Sequence, residues 1–326
     1  MIPRRSLLGA TALASIGAAT GTAGARAQMA IPYVPPGNRP RSVTLLVGAA
    51  GGSGTDLWVR GFAPFLERHM KQVQVSVVNR VGEGGLAVMR DLAGAPTNGS
   101  VLGYAVTPFI VARAVERNAL AVLDRLAFLG AVTEEPVALV ALPGTDLEML
   151  RAQAGSRPLG LPPPVSAAAI AAAELTEALP MEQLHFPSAA AARQAAAAGN
   201  VAAALLTVPE TMVALREGKL AVLGVAAAAR HPQLPDVPTL REQGIPIEAA
   251  LRRGIAVPSG IAPQAAAGIA RALRGAVADP EFLAQAESRG ILPLFHDGPT
   301  WTARVQQHRV ELRHRWETSP WQVIGG

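Results

Sequence analysis

Short apolar segments alternate with helical segments from residue 43 onward, and this alternation constrains the fold more than any other feature of the sequence. Residues 43–47 have the composition of a buried strand, and the valines at positions 73, 75 and 77 alternate with polar residues as in a half-buried strand. Strands that alternate with helices form mostly parallel sheets covered by helices, so the pattern predicts an α/β fold. Further strands are predicted at 101–106, 137–142, 201–206, 220–225 and 255–257.

Residues 1–27 have the features of a cleaved signal peptide. Arg4 and Arg5 supply a positive start, residues 7–24 are apolar or small, and an Ala-Arg-Ala cleavage pattern follows. The paired arginines also suit a twin-arginine signal, so both export routes stay open. The segment lacks the roughly 20 strongly apolar residues of a membrane span, which argues against an anchor. We therefore expect an exported, periplasmic protein.

Charge and cysteine content exclude several functional classes. The chain has 29 basic and 24 acidic residues, and removal of the signal leaves 26 against 24, a net charge of +2. Because no lysine run with interleaved aromatics remains, nucleic acid is not an expected partner. The absence of cysteine excludes disulfides, thiolate metal sites and a cysteine nucleophile.

The glycine-rich loop at residues 47–56 is the strongest local indication of a binding site. It lies where the first predicted strand passes into a helix, and open α/β sheets bind ligands at such positions. Glycines let a ligand approach the backbone, and free amides at a helix N-terminus favour an anion. The loop lacks the third glycine of a dinucleotide motif and the lysine of a P-loop. The expected ligand contacts here are Ala49, Ala50, Gly51, Gly52, Ser53, Gly54 and Thr55.

Asp56 ends this loop and would repel a carboxylate ligand. We interpret it as a residue that caps the helix or holds the loop, with Arg60 one turn later as its partner. Thr55 as a simple helix cap stays open as an alternative.

No pattern for catalysis or metal binding is present. The six histidines lack metal-ligand spacing, and no Gly-x-Ser-x-Gly nucleophile motif occurs. Glu134 and Glu135 form an adjacent acidic pair, which we interpret as an exposed turn before Pro136. We therefore expect no catalytic residues, no metal and no cofactor.

Residues 230–244, Arg-His-Pro-Gln-Leu-Pro-Asp-Val-Pro-Thr-Leu-Arg-Glu-Gln-Gly, carry the most distinctive motif. The motif resembles the signature of the substrate-binding proteins of tripartite tricarboxylate transporters, the Bug family. The 47–56 loop, the Asn-Arg-Val-Gly-Glu-Gly-Gly turn at 79–85, and residues 256–260 agree with this family in order. The resemblance covers essentially the whole mature chain.

This resemblance implies a type II periplasmic-binding-protein fold, with two α/β lobes joined by two crossing strands around a ligand cleft. The first lobe would comprise residues 28–136 and 256–326, and the second lobe residues 137–255. The family holds a small carboxylic acid through backbone amides and hydroxyls, often with bridging water. By position, the implied further contacts are Thr107 and Pro108 from the first lobe, and Ser166 and Thr207 from the second.

The second lobe departs from the family pattern at Pro162, Pro163 and Pro164. Three prolines remove three amide donors where the family has a Gly/Ser-rich loop, which favours a larger and less polar pocket. Whether they weaken or change ligand binding stays open.

The expected function is a monomeric extracytoplasmic receptor that delivers a small organic acid to the membrane translocator subunits of a tripartite transporter. A sensory or scaffold protein of the same fold without transport stays open as an alternative. An exported enzyme built from scattered residues is a third, less favoured one.

Overall fold

The computed structural model describes residues 41–321, in which ten strands alternate with eleven α-helices. The predicted signal peptide, residues 1–27, lies outside the described residues. None of the helices in the described part has the length and apolar content needed to cross a bilayer. The strands are β1 (Arg41–Val47), β2 (Val73–Asn79), β3 (Val101–Thr107), β4 (Leu126–Ala141), β5 (Leu159–Leu161), β6 (Gln183–His185), β7 (Ala203–Thr207), β8 (Ala221–Val225), β9 (Ala250–Pro258) and β10 (Pro293–Asp297).

Most of the helices follow a strand directly, as the alternation in the sequence requires. The helices are α1 (Gly54–Arg68), α2 (Leu86–Ala93), α3 (Phe109–Glu116), α4 (Leu120–Leu123), α5 (Leu147–Ala152), α6 (Ala167–Leu175), α7 (Ala189–Ala197), α8 (Val208–Arg216), α9 (Pro263–Val277), α10 (Pro280–Ser288) and α11 (Gly298–Thr318).

The strands run in the order β2-β1-β3-β9-β4-β7-β5-β6, and β8 and β10 also pair with β4. The pairs β1–β2, β1–β3, β5–β6 and β5–β7 are parallel, whereas β9 is antiparallel to β3 and β4. Each side of the fold therefore contains three parallel strands connected by helices, β1–β3 on one side and β5–β7 on the other, and β4 and β9 join the two sides through antiparallel pairing.

Strand β4 is shared between the two α/β lobes. Its residues 126–136 pair with β9, while residues 137–141 pair with β7. The predicted lobe boundaries, 136/137 and 255/256, fall inside β4 and β9. The exact division of the chain stays a prediction.

Apolar clusters cover both faces of the sheet in each lobe. In the last part of β4, Val137 and Leu139 belong to one cluster with α6, while Ala138 and Val140 belong to another with α7 and α8. All four side chains are fully buried. Each buried valine or leucine stabilises the fold by about 1.5–3 kcal/mol, and the two-faced burial explains why β4 has an uninterrupted apolar run here.

Each strand predicted from the sequence overlaps an observed strand, although β4 begins eleven residues before the predicted start at 137 and β9 begins five residues before the predicted start at 255. The strands β5, β6 and β10 were not predicted, and β5 and β6 have only three residues each, too few to show periodicity. The exposed turn expected at Glu134 and Glu135 is wrong: β4 begins at Leu126 and continues through both residues, and Glu135 is 2% exposed.

Candidate functional site

A cavity of about 380 Å³ opens at the carboxyl ends of β1 and β3. A larger groove of about 960 Å³ lies at the opposite end of β1, next to Arg41 and Lys71. Because α/β sheets bind ligands at the carboxyl ends of their parallel strands, the smaller cavity is the candidate site. Its walls are formed by Gly48, Ala49, Thr55, Gly84, Gly85, Met89, Tyr104, Ala105, Val106, Pro108, Phe109, Ile110, Ser166, Ala167, Glu210, Leu251 and Arg253.

The N-terminal turns of four helices reach the wall of this cavity. Thr55 opens α1, Phe109 opens α3, Ala167 opens α6, and Glu210 lies in the first turn of α8. The first amides of a helix have no partner on a preceding turn, and the helix dipole makes this end positive. The cavity therefore offers several donors to an anion, from elements on both sides of the β4–β9 junction.

Asp56 holds the loop between β1 and α1. Its carboxylate accepts hydrogen bonds from the Gly52 amide at 2.8 Å, from Asn79 Nδ2 at 2.8 Å and from Arg60 Nε at 2.9 Å. These contacts, the one from Asn79 first, lower the pKa of Asp56 from 3.8 to about 2. The side chain is buried and turned into the loop, so its charge is satisfied by the protein itself.

Of the seven ligand contacts predicted in this loop, Ala49 and Thr55 line the cavity. The structure places the middle of the loop at the protein surface, where its residues are exposed or partly exposed. The amide of Gly52 is used by Asp56, and the amide of Ser53 donates to the Ala50 carbonyl at 3.2 Å. The residues that do not line the cavity are Ala50, Gly51, Gly52, Ser53 and Gly54.

Gly48 sits where two loops of the cavity wall meet. A Cβ atom at this position would lie 2.6 Å from the Cα of Gly85, which is closer than real Cβ contacts. Gly85 has a φ of 93°, in the left-handed region that favours glycine. The turn after β2 therefore packs directly against the backbone after β1, and both glycines line the cavity.

The other four predicted contacts divide into two groups. Pro108 and Ser166 line the cavity. Thr107 and Thr207 are buried beside the cavity, outside its lining. Thr107 Oγ1 accepts a hydrogen bond from the Trp301 indole at 2.9 Å, so it serves the core. That Thr107 and Thr207 contact a ligand stays a prediction.

Ser166 follows the three prolines and caps α6. Its hydroxyl oxygen accepts from the Ala169 amide at 3.1 Å, and Pro163 accepts a backbone hydrogen bond from Ser166. Helix α6 begins after the prolines, at Ala167. The three prolines lack amide donors, but the first amides of α6 come after them and are kept. Ala167, the first residue of α6, lines the cavity.

Sequence reasoning missed Arg253, the cation on the cavity wall. Its guanidinium pairs with Glu135, with Nε 2.6 Å from Oε1 and Nη2 3.1 Å from Oε2. Nη1 donates to the Tyr104 hydroxyl at 3.0 Å, and the guanidinium lies 5.4 Å from the ring centre of Trp58. Glu134 pairs with Arg252 through a single contact, with Nε 2.8 Å from Oε2. The two glutamates that we interpreted as an exposed turn thus form ion pairs with the arginines of β9.

Glu210 was also missed. Its Oε2 accepts from the Thr207 amide at 2.8 Å, which is one of the two contacts of a capping box at the start of α8. Burial raises the pKa of Glu210 above its ordinary value of 4.5. The Thr-x-x-Glu spacing at 207–210 was the available signal, since it predicts a helix start after the 201–206 strand.

No group of three or more His, Cys, Asp or Glu side chains within residues 41–321 could hold a metal ion. The charged groups at the cavity are Glu210 and Arg253, and the remaining lining is apolar or carries hydroxyl and amide groups.

Comparisons with known proteins agree on one family. The family model for the tripartite tricarboxylate transporter family receptor matches residues 60–311. Protein BugT of Bordetella pertussis is 27% identical over 246 residues, which cover 72% of this chain and 74% of BugT.

Solved structures show the same fold. A TctC solute-binding protein from Polaromonas, solved without ligand, superposes with a TM-score of 0.74 at 22% identity, covering 84% of this chain and 97% of that one. MatC from Rhodopseudomonas palustris, solved with bound malate, superposes with a TM-score of 0.67 at 23% identity, covering 84% and 98%. Since the family model matches well over half of its residues, this chain belongs to the tripartite tricarboxylate transporter receptor family.

Proposed function

We propose that this protein is a periplasmic solute-binding receptor that captures a small carboxylic acid for a tripartite tricarboxylate-type transporter. Family membership supports the receptor role, and malate bound to the similar protein MatC supports the ligand class. The cavity volume of about 380 Å³ suits a small molecule.

The observation that carries this proposal is the meeting of the α1, α3 and α6 N-termini at one cavity. A negative charge near a helix N-terminus is stabilised by about 0.3–1 kcal/mol at the surface, and by up to about 2 kcal/mol when partly buried. Several such termini can therefore bind a carboxylate by themselves. An arginine partner is not required, and Arg253 on the cavity wall is already paired with Glu135. The hydroxyls of Thr55 and Ser166 add donors from the two sides of the cavity.

In the proposed division, the first lobe contains residues 28–136 and 256–326, and the second contains residues 137–255. The protein acts as a monomer, and its lobes close on the ligand by bending at β4 and β9. The closed form then docks on the membrane subunits of the transporter. Ligand contacts in this proposal are Ala49, Thr55, Pro108 and Ser166, together with the amides that open α1 and α6.

A thermal-shift screen of organic acids tests this function, because a ligand that binds only the native state raises the melting temperature by mass action. Thr55→Val removes one hydroxyl from the cavity wall and should weaken the shift, whereas Thr302→Val in α11 should leave it unchanged. If no acid shifts the melting temperature while another ligand class does, the carboxylate proposal is wrong.

A further inference from the structure

Glu210 places a carboxylate on the cavity wall formed by α8. Its Oε2 receives the Thr207 amide at 2.8 Å, and the side chain is partly exposed toward the cavity. The capping contact fixes the side chain at the start of the helix. The α8 N-terminus is thus already occupied by an anion of the protein itself. The first turns of α3 and α6 contain no acidic residue, and Asp56 in the first turn of α1 is paired with Arg60.

Arg253 does not neutralise Glu210. Three of its nitrogen atoms are already engaged, two by Glu135 and one by Tyr104. The Glu135 side chain is 1% exposed, so this partner is held inside the protein. Within residues 41–321, no ion pair of 4.0 Å or less joins Arg253 to Glu210.

The charges at the cavity therefore have two different effects on a ligand. The helix N-termini favour one carboxylate, while the Arg253–Glu135 pair is neutral as a unit, and Glu210 has no ion-pair partner among the described residues. A second carboxylate of the ligand close to Glu210 would be repelled, because like charges that meet in a binding site destabilise the complex. An ammonium group at the same place would form a charge-assisted hydrogen bond instead.

We propose that Glu210 is a specificity-determining residue that makes this receptor select acids with an ammonium group distant from the carboxylate, in preference to dicarboxylates. The proposal rests on the receptor function above and names the ligand class more narrowly. In the complex, the ligand carboxylate lies at the helix N-termini near Thr55 and Ser166, and its ammonium group donates to Glu210.

Two matched ligand pairs test the proposal by isothermal titration calorimetry on the purified protein. Succinate is compared with 3-aminopropanoate, and adipate with 5-aminopentanoate. Within each pair the number of methylene groups is the same, and only one carboxylate is exchanged for an ammonium group. For at least one pair, the amino acid should bind about tenfold more tightly than the dicarboxylate.

Glu210→Gln provides the decisive variant, because glutamine at this position keeps the acceptor for the Thr207 amide and loses only the charge. The preference for the ammonium ligand should fall to about twofold or less, mainly through tighter binding of the dicarboxylate. Glu217→Gln removes an exposed carboxylate at the end of the same helix and should leave the preference unchanged. An unliganded melting temperature close to that of the parent protein confirms that each variant folds.

The outcomes separate this inference from the receptor function. If dicarboxylates bind the parent protein as tightly as the amino acids do, or if Glu210→Gln leaves the ratio unchanged, Glu210 is not a specificity determinant although the receptor function stands. If no acid of either kind binds, the receptor function fails first.

The pH profile gives an independent readout. The ionisable side chains around Glu210 are Glu135 on β4 and Arg253 on β9, and Arg193 on α7 donates to its backbone carbonyl at 2.8 Å. Because burial raises the pKa of Glu210, the carboxylate is lost at a higher pH than in an exposed glutamate. In the parent protein, the ammonium preference should decrease as the pH falls toward the range in which Glu210 is protonated, and the decrease should begin above the ordinary glutamate pKa of 4.5. In Glu210→Gln, the preference should change only as far as protonation of the dicarboxylate ligand itself changes it. Identical profiles in the two proteins contradict the proposal.

Discussion

Replacement of Arg253 by methionine should destabilise the protein strongly, because it leaves the Glu135 carboxylate buried without its partner. The Glu135 side chain is 1% exposed, whereas that of Arg253 is 18% exposed. After the change, the remaining contact of Glu135 is the Thr133 hydroxyl at 3.4 Å. Breaking a buried ion pair on one side costs about 3–5 kcal/mol. The loss of the hydrogen bond to Tyr104 adds about 1 kcal/mol.

Glu135→Gln should lower the free energy of unfolding less, by about 1–2 kcal/mol, because the unpaired Arg253 guanidinium is still partly exposed at the cavity. The double variant Arg253→Met/Glu135→Gln has no unpaired buried charge. The double variant should therefore lose at least about 1 kcal/mol less free energy of unfolding than the two single variants lose together.

Urea unfolding with linear extrapolation measures these free energies. Lys219→Ala serves as the control, since it breaks an exposed pair with Glu217 and should cost no more than about 1 kcal/mol. The reasoning is refuted if Arg253→Met behaves like this control. It is also refuted if Glu135→Gln destabilises the protein more than Arg253→Met does.

Three further changes probe the cavity wall and its support. Thr107→Val should lower the free energy of unfolding, measured in urea, by about 1–3 kcal/mol, because the buried Trp301 indole loses its acceptor. Gly48→Ala should reduce both the melting temperature and ligand affinity, since its Cβ would lie 2.6 Å from the backbone of Gly85. Asp56 has a folded-state pKa lowered to about 2, so its contribution to stability is present above its ordinary pKa of 3.8 and is lost as the pH falls toward 2. Asp56→Asn should therefore flatten the acid limb of the stability curve, and an unchanged limb in acid titrations followed by circular dichroism would contradict this role.

Local signals in the sequence were sufficient for the secondary structure around the site. The alternating valines of β2 and the apolar run of β1 are visible within single segments. The change from β1 to α1 is marked by glycines and by the capping residue Ser53, whose hydroxyl oxygen accepts from the Asp56 amide at 3.3 Å. The family motif at 230–244 then indicated the fold without any structural information.

The acidic pair at 134–135 shows where such reasoning stops. Two adjacent glutamates before a proline are typical of an exposed turn, but their partners, Arg252 and Arg253, lie 118 residues later in the chain. Only the antiparallel register of β4 and β9, in which Glu134 faces Arg252, brings them together. No pattern within a short stretch of the sequence predicts this register.

The sequence by itself determined the family, the order of the longer strands, and the loop after β1 as a candidate for the site, because these depend on periodicity and on short motifs. The tertiary structure decided that Ala49 and Thr55 reach the cavity while Gly51 and Gly52 face solvent. It also brought Glu210 to the cavity wall. Which side of a loop meets a cavity depends on how distant elements pack against it, and that packing is a property of the whole chain.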